Sequence, residues 1–247
     1  MSGLFWEYVH AGDWTPEVEL TVEDSNNTVQ WVGWSAVGGI VGTVVFFLLI
    51  FVIGVSRDGY SALSDEISQL GAAGAAGAWM QSVNFILFGL LVIALAWGLH
   101  RGIEGNGSRL GPILIGMFGL LATVGNGVFP TDQYGAPETT VGNLHSLGAG
   151  LGFIALIVAM FVLPRRLRQD GEWTDLVGLS RWMGLSSTVL MLLYLFASET
   201  EGFLDDHVGL IQRVFAATVL AWLFLLALRL LRVSNARDLH TFAGKDI

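Results

Sequence analysis

Cysteine is absent from this chain of 247 residues. Disulfides, thiolate metal sites, iron–sulfur clusters and cysteine nucleophiles are therefore excluded. Charge is scarce as well: 13% of the residues are charged, against about 25% in a soluble domain. Basic residues are outnumbered by acids, 12 against 21, for a net charge of −9. Such a chain offers no basic surface to draw a nucleic-acid backbone, so nucleic acid is excluded as a partner. Three catalytic or phosphate-binding signatures are also missing: GxxxxGK[ST], HExxH and GxSxG.

What remains is apolar. Hydrophobic residues make up 53% of the chain and mean hydropathy is +0.62, which excludes a disordered chain and an ordinary cytosolic enzyme. A bilayer core about 30 Å thick needs about 20 helical residues to cross it. Uncharged gaps of that size predict six spans: Val32–Val55, Ala78–Leu99, Leu110–Pro130, Val141–Leu163, Gly178–Ser198 and Val208–Leu231. The runs are too long for strands and show no period of two, so the predicted fold is all-α, a six-transmembrane-helix bundle and not a barrel. Residues 1–31 read as an acidic N-terminal tail, 32–232 as the transmembrane domain and 233–247 as a C-terminal tail. Leu4, Phe5, Trp6 and Tyr8 in the first segment suit either a short interfacial helix or packing on the bundle. No basic n-region and apolar h-region of a signal peptide precede them.

Local signals agree with the spans. Pro112 falls in the first turn of the third, while Pro130 and Pro164 mark the ends of the third and fourth. Clustered glycines (Gly38, Gly39 and Gly42; Gly142, Gly148, Gly150 and Gly152) suit close helix packing. Trp31, Trp34, Trp79, Trp97, Trp173 and Trp182 lie near span ends, where an interfacial aromatic belt belongs. Ten of the twelve basic residues fall in the second and fourth loops, the C-terminal tail and their helix ends; only Arg57 and Arg213 fall at the other end. The positive-inside rule therefore predicts a cell-membrane, multi-pass protein with both termini cytoplasmic.

The opposite end, predicted to face outward, holds the unusual chemistry. Its loops and helix turns carry Asp58, Asp65, Glu66, Asp132, Glu138, Glu199, Glu201, Asp205 and Asp206 against Arg57 and Arg213. Arg213 lies inside the sixth span, where an unpaired charge is costly. Asp132, Glu199, Asp205 and Asp206 are its candidate partners, and an anionic headgroup or carboxylate is its candidate ligand. Ser64 and Ser68 resemble helix caps. The first reading is an outward polar pocket formed by Arg213, Gln212, Asp132, His145, Ser64 and Ser68. It would bind a lipid headgroup or amphiphile, or dock another membrane protein, and needs no cofactor. The second is a metal-dependent lipid amide or ester hydrolase, with His145, His207 and Asp132 holding zinc and Ser68 and Asp132 as catalytic candidates. The third is a small-solute transporter, for which no internal repeat is visible. Asn84, Asn126, Asn143, Ser186, Ser187 and Thr188 lie deeper and suit interhelical hydrogen bonds.

Four short patterns stand in a fixed order: Ser64-Asp-Glu-Ile67-Ser68-Gln-Leu-Gly71, Phe129-Pro130-Thr131-Asp132, His145 inside the fourth span, and Gly209-Leu-Ile-Gln212-Arg213. Together they resemble the prokaryotic six-span membrane family catalogued as domain of unknown function nine-nine-eight, over roughly residues 32–232. The resemblance implies the six-helix fold and the location of the site, and no chemistry. Glu66-x-Ser68 and Asp132 give a looser likeness to membrane hydrolases of the alkaline-ceramidase type, which implies Ser, Asp and His around zinc. The chain departs from that pattern in having six spans and two histidines at the relevant end.

Overall fold

The computed structural model describes residues 22–243, apart from 106 and 201. The segment containing Leu4, Phe5, Trp6 and Tyr8, together with Glu201 and Lys245, lies outside the described residues. Six helices are long and apolar enough to cross a membrane, and no strand occurs among the described residues. They are α1 (Val22–Val55), α2 (Ala78–Gly102), α3 (Leu110–Val128), α4 (Thr140–Leu167), α5 (Leu176–Ser198) and α6 (Val208–Ala243). The helical ends of α1 and α6 reach beyond the apolar runs that announced them. Pro130 ends α3 as expected. Pro164 does not end α4: a further turn, Pro164–Leu167, continues it, because a proline at the start of a turn forfeits only an amide that would be unsatisfied anyway.

Neighbours in sequence are neighbours in space, and α1 packs against α6, so the six helices form a closed ring. At the end carrying the termini, α2 also meets α6 across the ring. A Cβ on Gly98 or Gly102 would lie 3.1 or 2.4 Å from the Leu230 methyls. Leu95, Leu99, Ile115, Leu156, Met160, Leu163, Leu223, Leu226 and Leu230 fill that half. Glycine elsewhere sets the spacing of backbones. A Cβ on Gly89 would come within 2.5 Å of the Gly119 carbonyl, and one on Gly152 within 2.7 Å of the Ala122 amide. These contacts bracket Gly119–Gly125, where α3 widens into a π-helical turn. Such turns are rare and occur frequently at functional sites. Among the tryptophans expected at the interface, Trp31, Trp34, Trp79, Trp97 and Trp182 are exposed on the bundle. Trp173 is not: it is fully buried beneath the α4–α5 connection.

At the other end the first loop folds inward and plugs the ring. Its middle, Ile67–Gly71, is a 3-10 turn. Glu66, not a serine, stands at its N-cap position and makes no side-chain cap bond; Ser64 bonds to the Asp65 carboxylate instead. The expectation that Ser64 caps a helix is thus replaced by an inward-turning loop. Two consecutive residues of α6 hold it. The Gln212 side chain accepts the Ile67 amide at 2.7 Å. Arg213 donates to the Asp65 carbonyl (2.7 Å), the Gly209 carbonyl (2.9 Å) and the Tyr60 hydroxyl. Among the described residues no carboxylate pairs with Arg213, contrary to the expectation of Asp132, Glu199, Asp205 or Asp206. A loop that turns into the bundle presents backbone carbonyls, and those carbonyls take the guanidinium's donors. Gly209 permits the approach, since a Cβ there would meet the Asp65 carbonyl oxygen at 2.4 Å. Arg57, two residues beyond the end of α1, acts alike, donating to the carbonyls of Gln69 (2.8 Å) and Ala76 (2.6 Å).

Two outcomes follow from this packing. Gly89→Ala should destabilise the protein by about 1–3 kcal/mol through overpacking against rigid backbone. Gly150→Ala, with nothing within 4 Å of its Cβ, should be neutral or gain up to ~1 kcal/mol of helix propensity. Thermal unfolding in detergent separates the two, and equal midpoints would contradict the close approach at Gly89. Gln212→Leu should accelerate hydrogen exchange at the Ile67 amide by more than tenfold, as loss of a net ~1.4 kcal/mol bond requires. An unchanged Ile67 amide would mean that the strap does not hold the loop.

Candidate functional site

Between the plug and the packed half of the ring lies a cavity of about 240 Å³. Its floor is aromatic and aliphatic: Phe46, Phe85, Phe88, Phe118, Phe153 and Phe215 all line it. Stacking of Phe46 on Phe88 (centroids 4.5 Å apart), and tilted contacts of Phe153 with Phe118 and Phe215, fix these rings. Its roof is polar: Glu66, Ser68, Thr131, His145, Tyr194 and Gln212. Ser146 on α4 and Leu195 on α5 line the cavity and are also exposed on the outside of the bundle. The cavity therefore reaches the surface along the α4–α5 seam, the thinnest contact in the ring. Small residues keep that seam thin, with Ala149 and Gly150 on the α4 side.

The polar roof is a directed hydrogen-bond chain. The Ile67 amide donates to Gln212, Gln212 donates to the Tyr194 hydroxyl (3.3 Å), and Tyr194 donates to the Glu66 carboxylate. Behind it, Tyr60 donates to the Glu66 carbonyl at 3.0 Å and accepts from Arg213. Burial raises the Tyr60 phenol above its ordinary range, against the opposing pull of Arg213. Its hydroxyl accordingly stays protonated and keeps both roles. His145 is buried, with Nδ1 2.8 Å from the Phe129 carbonyl. A carbonyl only accepts, so Nδ1 carries a proton and donates it to Phe129. Deeper in the wall, the buried side-chain carbonyl oxygen of Asn126 has no hydrogen-bond partner.

Of the residues predicted to form the ligand or metal site, the structure brings Ser68, His145 and Gln212 to this cavity and leaves Arg213, Ser64, Asp132 and His207 outside its lining. Arg213 sits one residue away and faces the loop backbone, beside an apolar groove formed by α1 and α6. Ser64 lies in the outer part of the loop. Asp132 is taken up by the start of α4: its two carboxylate oxygens accept from the amide and hydroxyl of Thr139, each at 2.8 Å, and Thr139 caps the Gly142 amide. A negative charge there complements the helix dipole. His207 is turned to the Phe203 carbonyl (2.7 Å) and stacked near the Phe203 ring. His145, His207 and Asp132 are thus not gathered, and no group of three histidines or acids able to hold a metal occurs among the described residues.

Sequence reasoning missed Tyr194 and the lining roles of Glu66, Asn126 and Thr131. Tyr194 carried a usable signal. It is one of four tyrosines in the chain, placed near the end of an otherwise apolar span, and a buried tyrosine hydroxyl requires a partner. Asn84, by contrast, fulfils the expected interhelical role, donating to the Phe46 carbonyl at 3.2 Å.

The four sequence patterns prove to be one assembly. Ser64–Gly71 is the plug, and Gly209–Arg213 is its strap. Phe129–Asp132 closes its far side: the Ala73 amide donates to Thr131 (2.8 Å), and Gln69 donates to the Asp132 carbonyl (3.0 Å). His145 ties α4 to the same segment. The chain shows 27% identity over 194 residues to cytochrome c oxidase subunit 1 of Rhodobacter capsulatus, covering 72% of this chain and 35% of that protein. It thus spans about a third of that relative's length. No solved structure matches it. The family described as protein of unknown function DUF998 matches residues 40–229, a stretch that takes in the plug, the cavity walls and the strap, and the chain belongs to that family.

Proposed function

We propose that the cavity binds a single-chain amphiphile, or one arm of a lipid, that enters sideways from the bilayer through the α4–α5 seam. The observation that carries this reading is the cavity's division into an aromatic floor and a polar roof, with a mouth on the lipid-facing side. Apolar surface favours a hydrocarbon tail at about 25 cal/mol per Å² removed from water. The tail already lies in lipid, however, so selectivity rests on the head. Tyr194, Gln212, Ser68, His145 and the free Asn126 carbonyl offer that head both donors and acceptors. A volume of about 240 Å³ falls below the roughly 300–1,000 Å³ of drug-sized sites. That size suits one chain or a small head, with the remainder of a larger lipid left in the membrane.

The packed half of the ring argues for a blind pocket over a continuous path, which favours binding over solute transport. The orientation is part of the proposal. Arg101, Arg109, Arg165, Arg166, Arg168, Arg229, Arg232 and Arg237 lie at the end with the termini, and Arg57 and Arg213 at the plugged end. The positive-inside rule then puts the termini in the cytoplasm and the cavity in the outer leaflet of the cell membrane.

Photolabelling of the protein in nanodiscs with a diazirine-bearing fatty alcohol tests the reading. Label should concentrate on α4 and α5 residues of the cavity and be competed by an unlabelled single-chain amphiphile. Gly150→Phe, which fills open space at the mouth, should reduce cavity labelling by about tenfold, a loss of ~1.4 kcal/mol in affinity. Gly178→Phe, at the far end of α5 with equally open surroundings, should not. Label spread evenly over lipid-facing helices, and unmoved by Gly150→Phe, would overturn the proposal.

A further inference from the structure

The end of the bundle that carries the termini holds a second recess, separate from the cavity above and opposite to it in character. Its volume is about 510 Å³, and His100, Arg101, Ile103, Gly105, Gly107, Arg109 and Arg166 line it. Three guanidiniums and an imidazole thus share one wall, with no acid among the described lining residues, in a chain whose net charge is −9. Arg166 is the centre of it. The residue is 5% exposed, yet no carboxylate lies within salt-bridge distance among the described residues. One of its terminal nitrogens donates to the carbonyls of His100 (2.8 Å) and Ile103 (2.6 Å), the other lies 3.4 Å from His100 Nδ1, and its buried Nε has no partner.

The nearest acids are engaged elsewhere. Asp170 acts on Arg166 through space, but its carboxylate accepts from the amides of Glu104 (2.9 Å) and Glu172 (3.2 Å) and from Arg237 (3.3 Å). Glu104 pairs with Arg237 at 3.0 Å. A buried cation left without an anion is costly unless a counterion arrives. The loop above the recess is built to allow this. Gly105 has φ of +92°, and a Cβ on Gly107 would meet the Arg166 stem at 2.9 Å. Gly107 lets the backbone lie close on Arg166, and Gly105 turns the loop against Gln169. Arg101 lies over the ring of Trp97, 5.6 Å from its centroid. Trp97 is itself exposed on the lipid-facing surface, so the recess sits at the depth of the headgroups.

We infer that this recess binds a phosphate oxyanion, held by Arg166 from within and by Arg101 and Arg109 at the rim. The planar guanidinium is suited to such an ion, because its donors match two phosphate oxygens at once. Two sources share this chemistry: the headgroup of an anionic phospholipid in the adjoining leaflet, and free inorganic phosphate. The position beside Trp97 and the general affinity of basic recesses between helices for lipid headgroups favour the first.

The test uses the full chain in detergent and in nanodiscs, with phosphatidylglycerol, phosphatidylcholine and inorganic phosphate as probes. Native mass spectrometry should show phosphatidylglycerol retained in preference to phosphatidylcholine. Arg101→Gln and Arg109→Gln, both at exposed rim positions, should each weaken that retention about fivefold, as removal of one basic contact does. Arg232→Gln, exposed at the same end but outside the recess, should not, and unfolding midpoints should match the parent in all three. Retention that follows these variants supports the lipid source. Phosphorus NMR of added inorganic phosphate that follows the same variants, without lipid selectivity, supports the site and assigns it to free phosphate. Retention and phosphate binding that are absent, or equal in all four proteins, would overturn the inference.

Discussion

A loop that turns back into a helical bundle at the membrane surface must find a partner for every backbone polar group it takes with it. Neither lipid nor the phenylalanine rings of the cavity floor can supply one. This constraint organises the plugged end of the protein. The carbonyls of Asp65 and Glu66 are met by Arg213 and Tyr60, those of Gln69 and Ala76 by Arg57, and the Ile67 amide by Gln212. Charge-assisted bonds of this type are about twice as strong as neutral ones. Two arginines therefore do here what a longer stretch of secondary structure does in other loops. The cavity is a consequence: a plug held from α1 and α6 closes the ring from above without filling it, while the π-helical turn of α3 widens the wall at Ala122 and Thr123.

The same constraint explains an electrostatic asymmetry between the two ends. Where Arg57 and Arg213 are used on carbonyls, the acids around them remain uncompensated. Asp58, Glu138, Glu199, Asp205 and Asp206 make no ion pair among the described residues. At the other end the pairing is partly complete: Arg237 joins Glu104 and Asp170, and Arg229 joins Asp175. Arg166 is buried there against carbonyls alone. One end is thus built to repel anions and the other to attract them, although the chain as a whole is acidic. Net charge described the molecule poorly because it averaged over two surfaces that never share solvent.

The six spans were legible because a bilayer imposes one length and one polarity, and both leave gaps in the charge pattern that can be counted. Side-chain partnership was not. Arg213 announced itself as a costly charge, but sequence alone pairs a cation with carboxylates, and nothing in it says that a loop will present carbonyls first. Asp132 had the residue type of a ligand, yet it lies seven residues before Thr139, and the turn that brings the two together depends on Pro130 and the interposed loop. Trp173 lay near a span end like the other tryptophans, and only the fold of the α4–α5 connection buries it. Glu66 and Tyr194 are 128 residues apart, so nothing local in the sequence joins them.

This pattern of success and failure points to what the family's short motifs encode. A catalytic motif would place its reactive groups on one open face with a nucleophile, a base and an oxyanion site in reach of each other. Here the motif residues spend their polar atoms on backbone: Gln212 on Ile67, Arg213 on Asp65 and Gly209, Asp132 on Thr139, His145 on Phe129, Gln69 on Asp132. Most of the motif is therefore scaffold for the plug, and the groups left to meet a ligand are those on its inner surface. Tyr194 is the informative member of that set, because it links scaffold to cavity: it takes a hydrogen bond from the strap residue Gln212 and gives one to Glu66 in the roof. A ligand head that competed for either bond would pull on the plug through Gln212 and Ile67. The Tyr194 hydroxyl is thus the one group through which a ligand of the proposed kind would act on the seating of the plug.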